Sequence, residues 1–108
     1  MCAKSRRKGK VGELELAAEL VRLFGCDARR GRQYCGTPES PDVISTIPGV
    51  YWECKRTEAL SLYSAMEQAG NDAGVGDVPV ICHRRNNREW LAICRLVDLP
   101  LLAKRIAH

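Results

Sequence analysis

Long apolar runs, paired cysteines, internal repeats and low-complexity tracts are all missing from this 108-residue sequence. No stretch approaches the ~18 apolar residues of a membrane helix, which excludes a helical span. The opening MCAKSRRKGK is basic but lacks the apolar stretch of a secretory signal, so the expected location is cytoplasmic. None of the six cysteines stands in a CxxC pair, and without a secretory context a disulfide framework is not expected. Reduced thiols packing as small hydrophobes are the expectation. A zinc site built from Cys26, Cys35, Cys82 and His83 is the alternative. With no linker-like segment, residues 1–108 read as a single domain with a basic N-terminal arm, 1–10.

What is present begins with charge. The net charge of +4 is uneven. Residues 1–32 carry nine basic against four acidic side chains, whereas the remainder carries eight against nine. A basic segment on a nearly neutral body suits a polyanionic partner such as nucleic acid, or simply a solvated terminus.

Periodicity then supplies the elements. Residues 10–24, KVGELELAAELVRLF, have the spacing of an amphipathic helix stopped by Gly25. A short strand is expected at 26–30, a loop through GRQYCGTPES, and strands at 41–46 and 50–55 around Pro48-Gly49. Ser61 is placed to cap a second helix, LYSAMEQAGNDA. VPVICHR and EWLAICRL read as strands joined at Asn86-Asn87, and Asp98 with Pro100 opens a last helix. The order α-β-β-β-α-β-β-α predicts an α/β fold with a mixed central sheet flanked by helices.

Three carboxylates stand out. Strand side chains alternate, so in VYWECK the set Val50, Trp52 and Cys54 faces one way, and Tyr51, Glu53 and Lys55 the other. A two-residue turn at Pro48-Gly49 would set Glu53 opposite Ile44 and Asp42 opposite Lys55, with Asp42 and Glu53 diagonal neighbours on one face. On the first helix, Glu15, Glu19 and Arg22 gather on a solvent-facing side. Glu13 instead falls between Leu20 and Phe24, inside an apolar arc where a lone carboxylate is costly. Taken singly, these residues also suit a wet first-turn glutamate, an exposed ion pair and a turn aspartate. Together they suit metal-assisted phosphodiester hydrolysis. Mg²⁺ takes hard oxygen ligands, from Asp42, Glu53, the Cys54 main-chain carbonyl and Glu13, while Lys55 would orient water or stabilise charge at phosphorus.

The run Pro41-Asp42, then Glu53-Cys54-Lys55, resembles the signature of the PD-(D/E)XK nuclease superfamily. Lys8-Gly9-Lys10-Val11-Gly12-Glu13-Leu14-Glu15-Leu16 is similar to the opening of archaeal-type Holliday junction resolvases, a branch also found in phages. Gly25 through Arg30 is similar to a further stretch of that family, and the likeness spans about residues 8 to 94. Leu14 and the long loop 31–40 depart from the pattern. The resemblance implies a restriction-endonuclease-like fold, catalytic Glu13, Asp42, Glu53 and Lys55, and Mg²⁺ with Mn²⁺ as a substitute. It further implies a homodimer acting on branched DNA, with four-way junctions as the expected substrate, in the cytoplasm or in a host's cytoplasm if phage-encoded.

Expected DNA contacts are Lys4, Arg6, Arg7, Lys8, Lys10, Arg30 and Arg32. Arg84, Arg85 and Arg88 are expected as a solvated hairpin tip, and Gln68 as a surface residue. Leu96, Leu99, Leu101 and Leu102 would serve dimerisation or cover the sheet. Two other readings stay open: a nuclease of this fold acting on linear, flapped or single-stranded DNA, and a DNA-binding module without catalysis.

Overall fold

The computed structural model describes residues 2–31 and 41–107, with the side chains of residues 2–8 outside the described set. Among these residues five strands form one sheet in the order β1-β2-β3-β4-β5. They are β1 (Ala28–Arg30), β2 (Val43–Ser45), β3 (Val50–Arg56), β4 (Val78–Arg84) and β5 (Leu91–Ile93). β3 and β4 run parallel and the other neighbours antiparallel, so the sheet is mixed as the element order implies. Among the described residues three α-helices flank it: α1 (Cys2–Phe24), α2 (Leu62–Asp72) and α3 (Leu99–Ile106). No helix among the described residues is long and apolar enough to cross a membrane.

Helix α1 begins at Cys2 rather than Lys10, so residues 2–10, expected as an arm, continue the helix. The sheet faces follow strand parity. Trp52, Val78, Val80 and Cys82 pack against Leu16, Ala17 and Leu20 of α1 and Leu102 of α3. Ile81 packs on the other face with Ala65 and Ala69 of α2. Leu102 therefore belongs to the core, while Leu96, Leu99 and Leu101 remain exposed.

The side of α1 that carries Glu13 faces the sheet, except that Phe24, expected beside Glu13, is exposed at the helix end. Leu16, Ala17 and Leu20 are buried with Glu13, and Val11, Leu14 and Val21 are exposed. Gly12 permits the close crossing: a Cβ there would lie 2.7 Å from the Cβ of Arg56. Ser61 and Asp98 stand at the expected helix starts, but neither side chain makes a capping bond. β5 is much shorter than EWLAICRL, and Asn87 takes the left-handed backbone its residue type tolerates (φ 59°).

The β2–β3 register differs from expectation. Val43 faces Trp52, not Cys54, because β2 stops at Ser45 and residues 46–49 form a wider connection. A Pro-Gly type II turn twists poorly into a tight hairpin, and two more residues relieve the mismatch. Ser45 stabilises this route, its Oγ accepting from Trp52 Nε1 at 3.0 Å and from the Ile47 N–H at 3.2 Å. A shift of two residues preserves which face each side chain takes.

Candidate active site

The site is built where β2 begins. The Asp42 N–H donates to the Trp52 carbonyl at 3.1 Å, although Trp52 already faces Val43. Two consecutive residues thus answer one on β3, the count of a β-bulge, a device that re-aims side chains. Asp42 Oδ2 accepts from the Cys54 N–H at 2.7 Å, which fixes its carboxylate between Glu53 and the α1 side. The expected Asp42–Lys55 pairing is thereby replaced by a contact with the main chain of Cys54. Gly31 holds the other flank. Its N–H donates to the Asp42 carbonyl at 2.9 Å, and any Cβ there would overlap the Pro41 carbonyl oxygen.

Three carboxyls that lie far apart in the chain meet here. Asp42 is hydrogen-bonded to Glu13 on one side and Glu53 on the other. Glu13, only 6% exposed, also accepts from Arg30 Nε at 2.7 Å. Lys55 Nζ stands 4.0 Å from Glu53 Oε2. Burial pushes the Glu53 carboxyl up to about 8, the Asp42 charge adding and Lys55 opposing. Burial likewise raises Glu13, with Arg30 pulling it back and Asp42 raising it further. Crowded acids in a half-dry place hold protons that they would release in water.

Among the described residues, no three or more His, Cys, Asp or Glu side chains are arranged to hold a metal ion. The carboxyls are bonded to one another and to Arg30 rather than opened around a common centre. As a donor set they fit a hard dication: all are oxygens, and a dication would offset the charge that burial disfavours. The contact of Cys54 with this cluster runs through its N–H.

The zinc alternative is excluded for the described thiols. Cys82 lies in the core beneath α1, His83 follows it on the opposite face of β4, and Cys26 donates to the Leu20 carbonyl. Cys35 lies outside the described residues. Burial raises both the Cys54 and Cys82 thiols, so they act as small inert hydrophobes.

Of the expected DNA contacts, Lys10 is exposed and Arg30 is half-buried against Glu13. Arg32 and the side chains of Lys4, Arg6, Arg7 and Lys8 lie outside the described residues. Gln68 is exposed on α2. Arg84 is not a free hairpin tip. Arg56 and Arg84 are in register on the parallel strands, and both reach Glu15, at 3.1 and 3.3 Å. Like charges side by side need an anion between them, a signal that could have moved Glu15 out of the solvent-facing group. Arg85 and Arg88 are exposed as expected.

No family model and no curated protein matches this sequence. Among solved structures, the chain is similar to Hjc, a Holliday junction resolvase from the archaeal hyperthermophile Archaeoglobus fulgidus. The two share 25% sequence identity with a TM-score of 0.59, over 81% of this chain and 72% of that one. The mixed five-stranded sheet with its flanking helices is therefore the fold of that resolvase.

Proposed function

We propose that this chain is a Mg²⁺-dependent, structure-selective DNA endonuclease whose substrate is the four-way junction, acting as a homodimer. One observation carries the reading: Glu13, Asp42 and Glu53, from a helix and two strands, meet beside Lys55. Similarity to a Holliday junction resolvase supports the choice of substrate. Asp42, Glu53 and Glu13 would hold the ion, with Mn²⁺ as a substitute. The ion supplies polarisation of the scissile phosphate and a bound water of lowered pKa.

The protein's own groups do the rest. Asp42, fixed by the Cys54 N–H, holds its carboxylate in one orientation before substrate arrives. Glu53, buried and close to Asp42, accepts or keeps a proton near neutral pH. Lys55, on the same face of β3, brings a positive charge to the place where negative charge grows on phosphate. Arg30 and Lys10 supply contacts to the backbone of the nucleic acid, which position it without reading sequence. Two scissile strands related by a twofold axis suit an isologous pair of such sites.

The test is gel analysis of a labelled four-way junction with and without Mg²⁺, beside linear duplex. Metal-dependent cutting of the junction in preference to duplex is expected. Equal rates on both would remove the resolvase assignment and leave a nuclease. Binding without cutting under any divalent ion would leave a DNA-binding module.

A further inference from the structure

We propose that Glu13 holds Arg30 in reserve: a divalent cation on Glu13 releases the guanidinium to bind DNA phosphate, so cation loading and DNA binding are coupled through this one pair. The inference rests on the nuclease reading given above. It begins with burial. Glu13 is 6% exposed and cannot stand as an isolated anion: it keeps a proton or, when ionised, is answered by a cation. In this structure that cation is Arg30, whose Nε lies 2.7 Å from Glu13 Oε1.

Topology explains the meeting. Arg30 is in register with Val43, whose side chain packs in the core beneath α1, so both side chains take the α1 face. Arg29, one residue earlier, takes the other face and is exposed. The Arg30–Glu13 contact engages one donor of a group that has five, and 31% of the Arg30 side chain remains open to solvent. It is therefore a phosphate ligand whose charge is offset from behind.

A dication on the Glu13 carboxylate competes with the guanidinium for the same oxygen. Its arrival removes the anion that Arg30 was answering and adds positive charge nearby, and both effects turn Arg30 toward an incoming phosphate. Linkage makes the coupling reciprocal: whatever factor the cation adds to DNA affinity, DNA adds to cation affinity.

The experiment has two arms. In the first, calorimetry without DNA measures Ca²⁺ binding to the parent protein and to Arg30→Met at mildly alkaline pH. Removing the competing guanidinium should tighten Ca²⁺ binding by about tenfold, as expected for one charge-assisted contact. Unchanged or weaker binding overturns the proposal. In the second, affinity for a labelled four-way junction is measured in EDTA for the parent, Glu13→Gln, Arg30→Met and the double variant.

Glu13→Gln should tighten binding by about tenfold in the parent background and by less than about twofold once Arg30 is gone. Equal tightening in both backgrounds would mean only that a negative charge was removed, and the proposal falls. Arg30→Gln, which likewise removes the cation beside Glu13, replaces Arg30→Met if the latter does not fold. If the parent binds no divalent cation, the nuclease reading fails and takes this inference with it. If it binds one with an affinity indifferent to Arg30, the inference alone is lost.

Discussion

Replacing Glu53 by Gln should make the protein more heat-stable at alkaline pH and no more stable at acid pH. The carboxyl titrates at about 8 in the fold against 4.5 as its ordinary value. The sign follows directly. A group whose folded pKa is raised stabilises the fold fully below its unfolded pKa, and loses that contribution as pH climbs through the folded value. The window therefore opens near 4.5 and closes near 8. At about 1.4 kcal/mol per pKa unit, the full shift corresponds to an upper bound near 5 kcal/mol.

Asp42 supplies part of that shift and shares the cost, so about 2–3 kcal/mol is the expected loss for Glu53 itself. For a domain of this size, 1 kcal/mol moves Tm by about 4 °C. Glu53→Gln is neutral at every pH and escapes the loss. Its melting temperature should match the parent's near about pH 5 and exceed it by about 8–12 °C near about pH 9. Added Mg²⁺ should narrow that gap by stabilising the parent alone, since a ligand that binds only the native state raises its stability. Thermal melts by circular dichroism across this range give the answer. Two curves that stay within about 2 °C of each other at all pH values would refute the claim that burial and Asp42 burden this carboxyl.

Asp42→Asn keeps an oxygen for the Cys54 N–H, so it should fold normally, lose cleavage and bind a four-way junction as well as or better than the parent; activity within about tenfold of the parent would refute its role. Lys55→Ala should lower turnover severely with cation affinity little changed, and calorimetry showing the cation lost would contradict its assignment to phosphate charge. Gly31→Ala places a methyl group into the Pro41 carbonyl and should cost roughly 1–3 kcal/mol in urea unfolding, with cleavage falling further than stability because Asp42 moves.

Much of this was legible in one dimension. The alternation in VYWECK separated Trp52 and Cys54 from Glu53 and Lys55 because strand parity is indifferent to register. The helical period placed Glu13 between Leu20 and Phe24, and the fold buries Glu13 with Leu20 but leaves Phe24, at the helix end, exposed. The register itself was not legible, since it depended on how a Pro-Gly turn twists, and the chain answered with two extra connecting residues. The start of α1 was obscured by Gly9 and Gly12, poor helix formers. Gly12 is useful where it stands, because it lets α1 approach Arg56 closely. Arg30 looked like a free DNA ligand because nothing local reveals a partner seventeen residues upstream. Gly31 carries no signal of its own, since its value lies in a backbone that returns beside it after ten residues.

That return has a practical meaning. Gly31 and Asp42 are stapled main chain to main chain, so the residue directly after β1 and the one directly before β2 hold each other in place. A disturbance at either stem is thus passed through that bond to the carboxylate beside it.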